Sequence, residues 1–249
     1  MSAFFTPTLN PVQIQQIQTM IASFPMEDAD YFAVYETDGM VRSAAAFIEE
    51  DDSTYECFAY TAPEYRSQGM FSTLLELAID EFPEDTEFLF YTNGNDADCM
   101  AVLEALEAEL VLEEHMMEID LSSFSGILTP CSASSVNLSG TLSSSGSSLP
   151  LSMSETVIDG TTTWLYENPN GIVNISVFSS YYYLYGFEIK EHLRGKGFGK
   201  KFLLQVLCDL AARNPLPLRL QVSGENIPAL SLYKKTGFQI TETLSGYLY

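Results

Sequence analysis

Laid over one another at their arginines, residues 62–71 (APEYRSQGMF) and 190–199 (KEHLRGKGFG) share one pattern, and setting Gly94 over Gly224 aligns NGND (93–96) with SGEN (223–226). Each pair of segments stands in the same order of local patterns. In the first half a helical stretch at about 11–23 precedes alternating strands at 31–36, 41–49 and 55–61. Apolar residues Phe71, Leu74, Leu75, Leu77, Ala78 and Phe82 then recur at helical spacing. A strand at 88–92, a helix at about 97–106 and a strand region at 109–121 close that unit. In the second half strands at 162–167, 172–178 and 181–189 lead to a helix at 199–212, a strand at 218–222, a helix at about 228–235 and strands near 238–249. Internal repetition limits the fold more than any average property does. The expectation is an α/β (α+β) chain of two units of one architecture, 1–125 and 126–249, each a mixed, mostly antiparallel sheet with flanking helices. The Ser-rich stretch 122–154 between them reads either as a flexible linker or, through Leu138, Leu142, Leu149, Leu151 and Met153, as edge strands of the second unit.

With 46% hydrophobic and 18% charged residues the chain has ample material for packed cores. No run approaches the roughly 20 apolar residues that span a bilayer, and the N-terminus lacks the basic start and apolar core of a signal peptide. A cytoplasmic protein without membrane contact is expected. Cys57, Cys99, Cys131 and Cys208 show no C-x-x-C spacing, and the only histidines are His115 and His192, so no metal site is expected.

The formal charge of -23 argues against nucleic acid, which binds through neutralisation of its phosphates by Lys and Arg. Its distribution says more. Residues 1–125 hold 26 acids and only Arg42 and Arg66 as bases, whereas Lys190, Arg194, Lys196, Lys200 and Lys201 gather in one short stretch. On so acidic a chain that cluster marks a place for an anion.

The cluster surrounds Arg194-Gly195-Lys196-Gly197-Phe198-Gly199, between an aromatic strand and an amphipathic helix. Glycines allow a tight turn and close approach of a ligand, and the free amides and dipole of a helix start suit phosphate. Alone, such a turn is equally a plain strand-to-helix connection. The whole segment 186–199, GFEIKEHLRGKGFG, closely resembles the acetyl-CoA signature of the GNAT superfamily of N-acetyltransferases, a strand followed by R-x-x-G-x-G at a helix start. Downstream, Asn226, Ala229, Leu232-Tyr233, Lys235 and Gly237-Phe238 resemble that family's N-x-x-A-x-x-L-Y-x-K-x-G-F pattern. The resemblance covers the second half strongly and about 30–121 more weakly, so the chain looks like a tandem GNAT protein.

The resemblance implies that the amides of Arg194 through Lys200 hold the pyrophosphate of acetyl-CoA and that the pantetheine arm pairs with the strand ending at Ile189, where the sheet splays. An amide there would stabilise the developing oxyanion. Tyr233 matches the position from which many members protonate the departing thiolate, the lesser alternative being a half-buried helix aromatic. Asn226 matches a cofactor contact or a helix cap. Glu188 could accept the amine's proton, bind a cationic acceptor, or be a solvated strand-end carboxylate. His192 reads as surface. In the first copy Ser67, Phe71, Asp96 and Leu103 stand where the second has Gly195, Gly199, Asn226 and Tyr233, and leucine cannot protonate a thiolate. That copy, a degenerate one, is expected to be mainly structural and to help shape the acceptor cleft, a degenerate CoA site being the lesser alternative.

The functional expectation is transfer of an acetyl group from acetyl-CoA to a small-molecule or peptide primary amine, favouring a cationic one. The alternative is a non-catalytic CoA-binding regulatory or interaction protein. Neither reading says anything of oligomeric state.

Overall fold

The computed structural model describes residues 1–123 and 150–249. Leu138, Leu142 and Leu149, weighed above as edge strands, lie outside the described residues; Met153 is in a strand. In chain order the elements are β1 (Ser2–Thr6), α1 (Pro11–Met20), β2 (Tyr31–Thr37), β3 (Met40–Asp51), β4 (Thr54–Thr61), α2 (Met70–Glu81), β5 (Glu87–Thr92), α3 (Ala97–Ala105) and β6 (Glu109–Asp120). They continue with β7 (Ser152–Ile158), β8 (Thr161–Asn168), β9 (Gly171–Val177), β10 (Tyr182–Ile189), α4 (Phe198–Arg213), β11 (Pro217–Ser223), α5 (Ile227–Thr236) and β12 (Gln239–Leu248). No helix among the described residues is long and apolar enough to cross a membrane.

Two compact units result, Met1–Glu113 with Leu244–Tyr249, and Glu114–Thr243. The first has strand order β1-β2-β3-β4-β5 followed by the end of β12, with Ser245–Leu248 antiparallel to Thr92–Leu89. The second runs β6-β11-β10-β9-β8-β7, with Glu114–Asp120 antiparallel to Ser223–Pro217. The sequence pattern places 109–121 and 238–249 at the close of their own halves. In the structure most of β6 instead borders β11, and the end of β12 borders β5.

In the first unit the strands are apolar on both faces because helices cover both. Ala45 and Phe47 of β3 turn to one side with Leu74, Leu75 and Ala78 of α2 and Leu103 of α3. Ala44 and Ala46 turn to the other, with Ile17 of α1, Phe24, Phe32 and Val34. Alternation of side chains along a strand makes the continuous run AAAF compatible with burial on two sides. Asn10 starts α1 with a reciprocal cap: its side chain accepts from Val12 N and Gln13 N while Gln13 reaches back to its amide.

In the second unit Phe202, Leu203, Val206, Leu207 and Leu210 of α4 lie against Tyr166, Val173, Ile175, Tyr182, Leu184, Leu218 and Leu220. All but one of the sheet's pairings are antiparallel. The exception, β10 with β11, is parallel and holds only at Tyr182–Leu218 and Tyr183–Arg219. Beyond Tyr183, β10 continues to Ile189 without a β11 partner, so the two strands part. A bulge between Tyr185 and Glu188 in the β9 pairing lies in this free stretch, with Gly186 at φ 59°.

Gly171 opens β9 where the backbone of β10 passes closest. A Cβ there would sit 2.1 Å from Glu188 O and 2.7 Å from Ile189 Cδ1. Gly171→Ala is expected to destabilise the chain by about 1–3 kcal/mol through forced separation of the strands, read from the urea unfolding midpoint; an unchanged midpoint would show that β10 moves aside freely.

Candidate active site

From Ile189 the chain makes one 3-10 turn (Glu191–Leu193), a four-residue loop and the start of α4. Arg194 leaves the turn extended (φ -63°, ψ 153°), and its Nε donates to Ile189 O at 2.9 Å, clasping the loop to the strand end. Gly195 (φ 71°) and Gly197 (φ 80°) are left-handed, a conformation costly to most L residues. A Cβ on either would meet no heavy atom within 4 Å, so these glycines leave open space in front of the loop. Gly199 does the opposite: its Cβ position is 3.3 Å from Ile189 Cγ1 and 3.7 Å from Leu232 Cδ2, which lets the first turn of α4 seat on the end of β10. The amides of that first turn have no intrahelical acceptor and carry the positive end of the helix dipole. Lys196 Nζ donates to His192 O at 2.8 Å, and Lys200 and Lys201 are exposed on the helix start, Lys201 lying 5.9 Å from the Phe198 ring centre.

The first copy repeats this backbone almost angle for angle. A 3-10 turn (Pro63–Tyr65) precedes Arg66 (φ -64°, ψ 158°), whose Nε donates to Thr61 O at 3.2 Å. Gly69 (φ 76°, ψ 8°) starts α2 as Gly197 (φ 80°, ψ 0°) starts α4. Even Ser67, aligned with Gly195, holds φ 57°. The electrostatics diverge. Arg66 Nη1 is 3.0 Å from Asp98 Oδ2 and 3.9 Å from Asp96 Oδ2, so two carboxylates neutralise it. The positions aligned with those acids in the second copy are Asn226 and Pro228. Arg194 has only Glu188 at 4.0 Å, with both side chains largely exposed, an ion pair of little strength.

Asn226 is the N-cap of α5, its Oδ1 accepting from Ala229 N at 3.2 Å; Asp96 caps α3 in the same way through the amides of Asp98 and Cys99. Tyr233 lies in α5, 6% exposed, with Phe238 and Phe187 at ring distances of 5.5 and 6.3 Å. Burial pushes its phenol up to about 12. Leu103, its counterpart, is 3% exposed in the core of the first unit. Phe187 and Ile189 face α4, whereas Glu188 between them is exposed. His192 is exposed; His115 is buried, with Nδ1 2.9 Å from Thr243 Oγ1. Among the described residues no three His, Cys, Asp or Glu side chains gather as metal ligands.

Residues 156–238 match the model of the Acetyltransferase (GNAT) family. This segment is similar to a GNAT domain. Solved structures agree in fold over nearly the whole chain. A GCN5-related N-acetyltransferase from Sphaerobacter thermophilus is similar at 12% identity and a TM-score of 0.54, covering 99% of this chain and 95% of its own. A tandem GNAT protein from the clavulanic acid biosynthesis pathway is similar at 13% identity and a TM-score of 0.53, covering 100% and 98%. An acetyltransferase of the GNAT family from Colwellia psychrerythraea is similar at 12% identity and a TM-score of 0.50, covering 100% of both. No curated protein matches in sequence. At these identities the likeness is one of fold, and the fold includes tandem GNAT structures.

The matched segment holds the residues read from sequence as cofactor-binding, Ile189, Arg194 through Lys200 and Asn226, on one strand end, one loop and two helix starts. Sequence reading missed Asp98, whose carboxylate pairs with Arg66; the signal was an acid two residues after the aligned cap, where the second copy has Pro228. Because the GNAT loop geometry needs φ near 60–70° at this position and Ser67 bears that strain, Ser67→Gly is expected to stabilise the chain by up to about 1 kcal/mol. Chemical denaturation of the variant measures it, and a loss of stability would show that the Ser67 side chain is held by contacts that offset the strain.

Proposed function

We propose that this protein is an acetyl-CoA-dependent N-acetyltransferase acting on a primary amine, with its cosubstrate held by the loop Arg194–Lys200. The observation that carries the reading is the contrast between two loops of one geometry: the first arginine is neutralised by Asp96 and Asp98, while the second belongs to a cluster of cations in front of open glycines. The residues fit a phosphorylated cofactor. Lys196, Lys200 and Lys201 supply countercharge, and the first-turn amides of α4 supply donors. When bound, acetyl-CoA supplies the activated acyl group.

The unpaired edge of β10 from Gly186 to Ile189 offers main-chain groups to an extended arm and an amide toward a carbonyl oxygen. Glu188, exposed on that stretch, takes the proton of an alkylammonium whose ordinary pKa is roughly 10.4, directly or through water, or binds it as a cation. A raised phenol pKa keeps Tyr233 protonated at neutral pH, the form a proton donor needs. The apolar surroundings that raise a phenol also make a nearby thiolate more basic, as burial does for the Cys57 thiol, which favours transfer between them. The net charge of -23 draws cations to the surface and supports a cationic acceptor. Close packing of Tyr233 against Phe187 and Phe238 is the observation that favours a second reading, a CoA-binding protein in which this tyrosine serves only the core.

The deciding experiment is release of free thiol from acetyl-CoA with a panel of polyamines, amino sugars and basic peptides, beside direct measurement of CoA binding. Gly197→Asp is expected to abolish binding by placing a like charge in the cradle, whereas Gly69→Asp leaves it unchanged. Equal losses would show that the sites are misassigned. Tyr233→Phe keeps the ring, so binding and melting temperature should hold while turnover falls about a hundredfold where chemistry limits the rate. Normal turnover of that variant removes the acid role; binding without turnover on any amine supports the second reading.

A further inference from the structure

Between α1 and the beginning of β3 is a cleft of about 280 Å³ whose walls include Gln15, Met20, Met40, Arg42 and Glu64. Its frame is fixed by hydrogen bonds. Gln16 Oε1 accepts from Val41 N at 2.8 Å and its Nε2 donates to Gly39 O at 3.2 Å, while Gln13 Nε2 donates to Glu36 Oε1 at 2.8 Å, so α1 is tied to both strands of the β2–β3 hairpin.

Arg42 is the anomaly. It is one of two bases among 26 acids in residues 1–125, yet among the described residues it makes no ion pair, and its Nε is buried without a hydrogen-bond partner. The other base of that segment, Arg66, is fully engaged by Asp98 and Thr61. The Arg42 guanidinium lies over the Tyr65 ring at 4.6 Å, which holds its plane in one orientation before any ligand arrives. A planar guanidinium fork matches a carboxylate. On the same cleft, Glu64 is exposed and makes no ion pair among the described residues. The thioethers of Met20 and Met40 line it with adaptable apolar surface.

The geometry points to a binding site for a free aliphatic α-amino acid, its carboxylate on Arg42, its ammonium on Glu64 and its side chain against Met20 and Met40. The volume, near the lower end of ligand sites, admits a molecule of that size. A cation and an anion on one small cleft select a zwitterion over an ion of either sign.

Calorimetric titration of the full chain tests this with three probes: L-leucine, 4-methylpentanoate, which lacks the amine, and 3-methylbutylamine, which lacks the carboxylate. L-leucine is expected to bind one per chain, more tightly than either analogue. Arg42→Gln should weaken L-leucine by about tenfold or more, since it removes a charged donor pair. Glu64→Gln should weaken L-leucine and leave 4-methylpentanoate unchanged. Gly197→Asp should bind L-leucine as the parent does, which separates this site from the loop of the GNAT domain. Absence of L-leucine binding at millimolar concentration, tighter binding of either analogue, or undiminished binding by Arg42→Gln overturns the proposal. Should circular dichroism show Arg42→Gln unfolded, Glu64→Gln, at an exposed position, carries the decision on the same probes.

Discussion

One hydrogen bond organises both loops, the arginine Nε reaching back five residues to the carbonyl that ends the preceding strand. In the second copy it joins Arg194 to Ile189, in the first copy Arg66 to Thr61. A charged donor makes such a bond worth more than a neutral one, about 1.5–3 kcal/mol, less where the side chain is as exposed as that of Arg194. The clasp fixes where the 3-10 turn ends and therefore where the two left-handed residues and the helix start must fall. It uses only one edge of the guanidinium. The remaining nitrogens are free to take different partners, and the two copies differ there: carboxylates 3.0 and 3.9 Å away in one, a solvated glutamate at 4.0 Å in the other. A shared backbone device thus separates from the charge chemistry placed upon it.

That separation explains what was legible in the sequence. Glycines at positive φ and an arginine at fixed spacing leave a written pattern, because few residues satisfy the backbone there; Gly195, Gly197 and Gly69 show it. Helices α2 and α4 were legible from their apolar spacing, and their observed starts at Met70 and Phe198 lie within a residue of the pattern. Asn226 kept two readings in the sequence, and its bond to Ala229 N is the capping one. Tyr233 also kept two, and burial among Phe187 and Phe238 is common to both, so position alone does not choose between acid and core aromatic.

Strand partners were not legible. A period-two pattern records which face of a strand is buried and says nothing of which edge it joins, so β6 and β12 gave no sign that their ends border β11 and β5. The parting of β10 from β11 after Tyr183 and the near contact at Gly171 belong to the same class, since both depend on residues distant in sequence. Arg42 is the converse case. Its scarcity in an acidic segment was visible in the composition, but its stacking on Tyr65 and its unpartnered Nε exist only once α1 and β3 are brought together.

The pairing of Ser245–Leu248 with β5 bears on how this protein is made. Synthesis delivers the chain from its N-terminus, and small domains ordinarily fold as they emerge. The first unit cannot close on the residues that precede the second, since its bordering strand follows that unit in the sequence and Phe88 exchanges both main-chain hydrogen bonds with Tyr249. Until then β5 presents an open edge of the kind that recruits strands from other molecules. The acidic side chains crowded into residues 1–125 oppose such pairing between copies, because like charges repel.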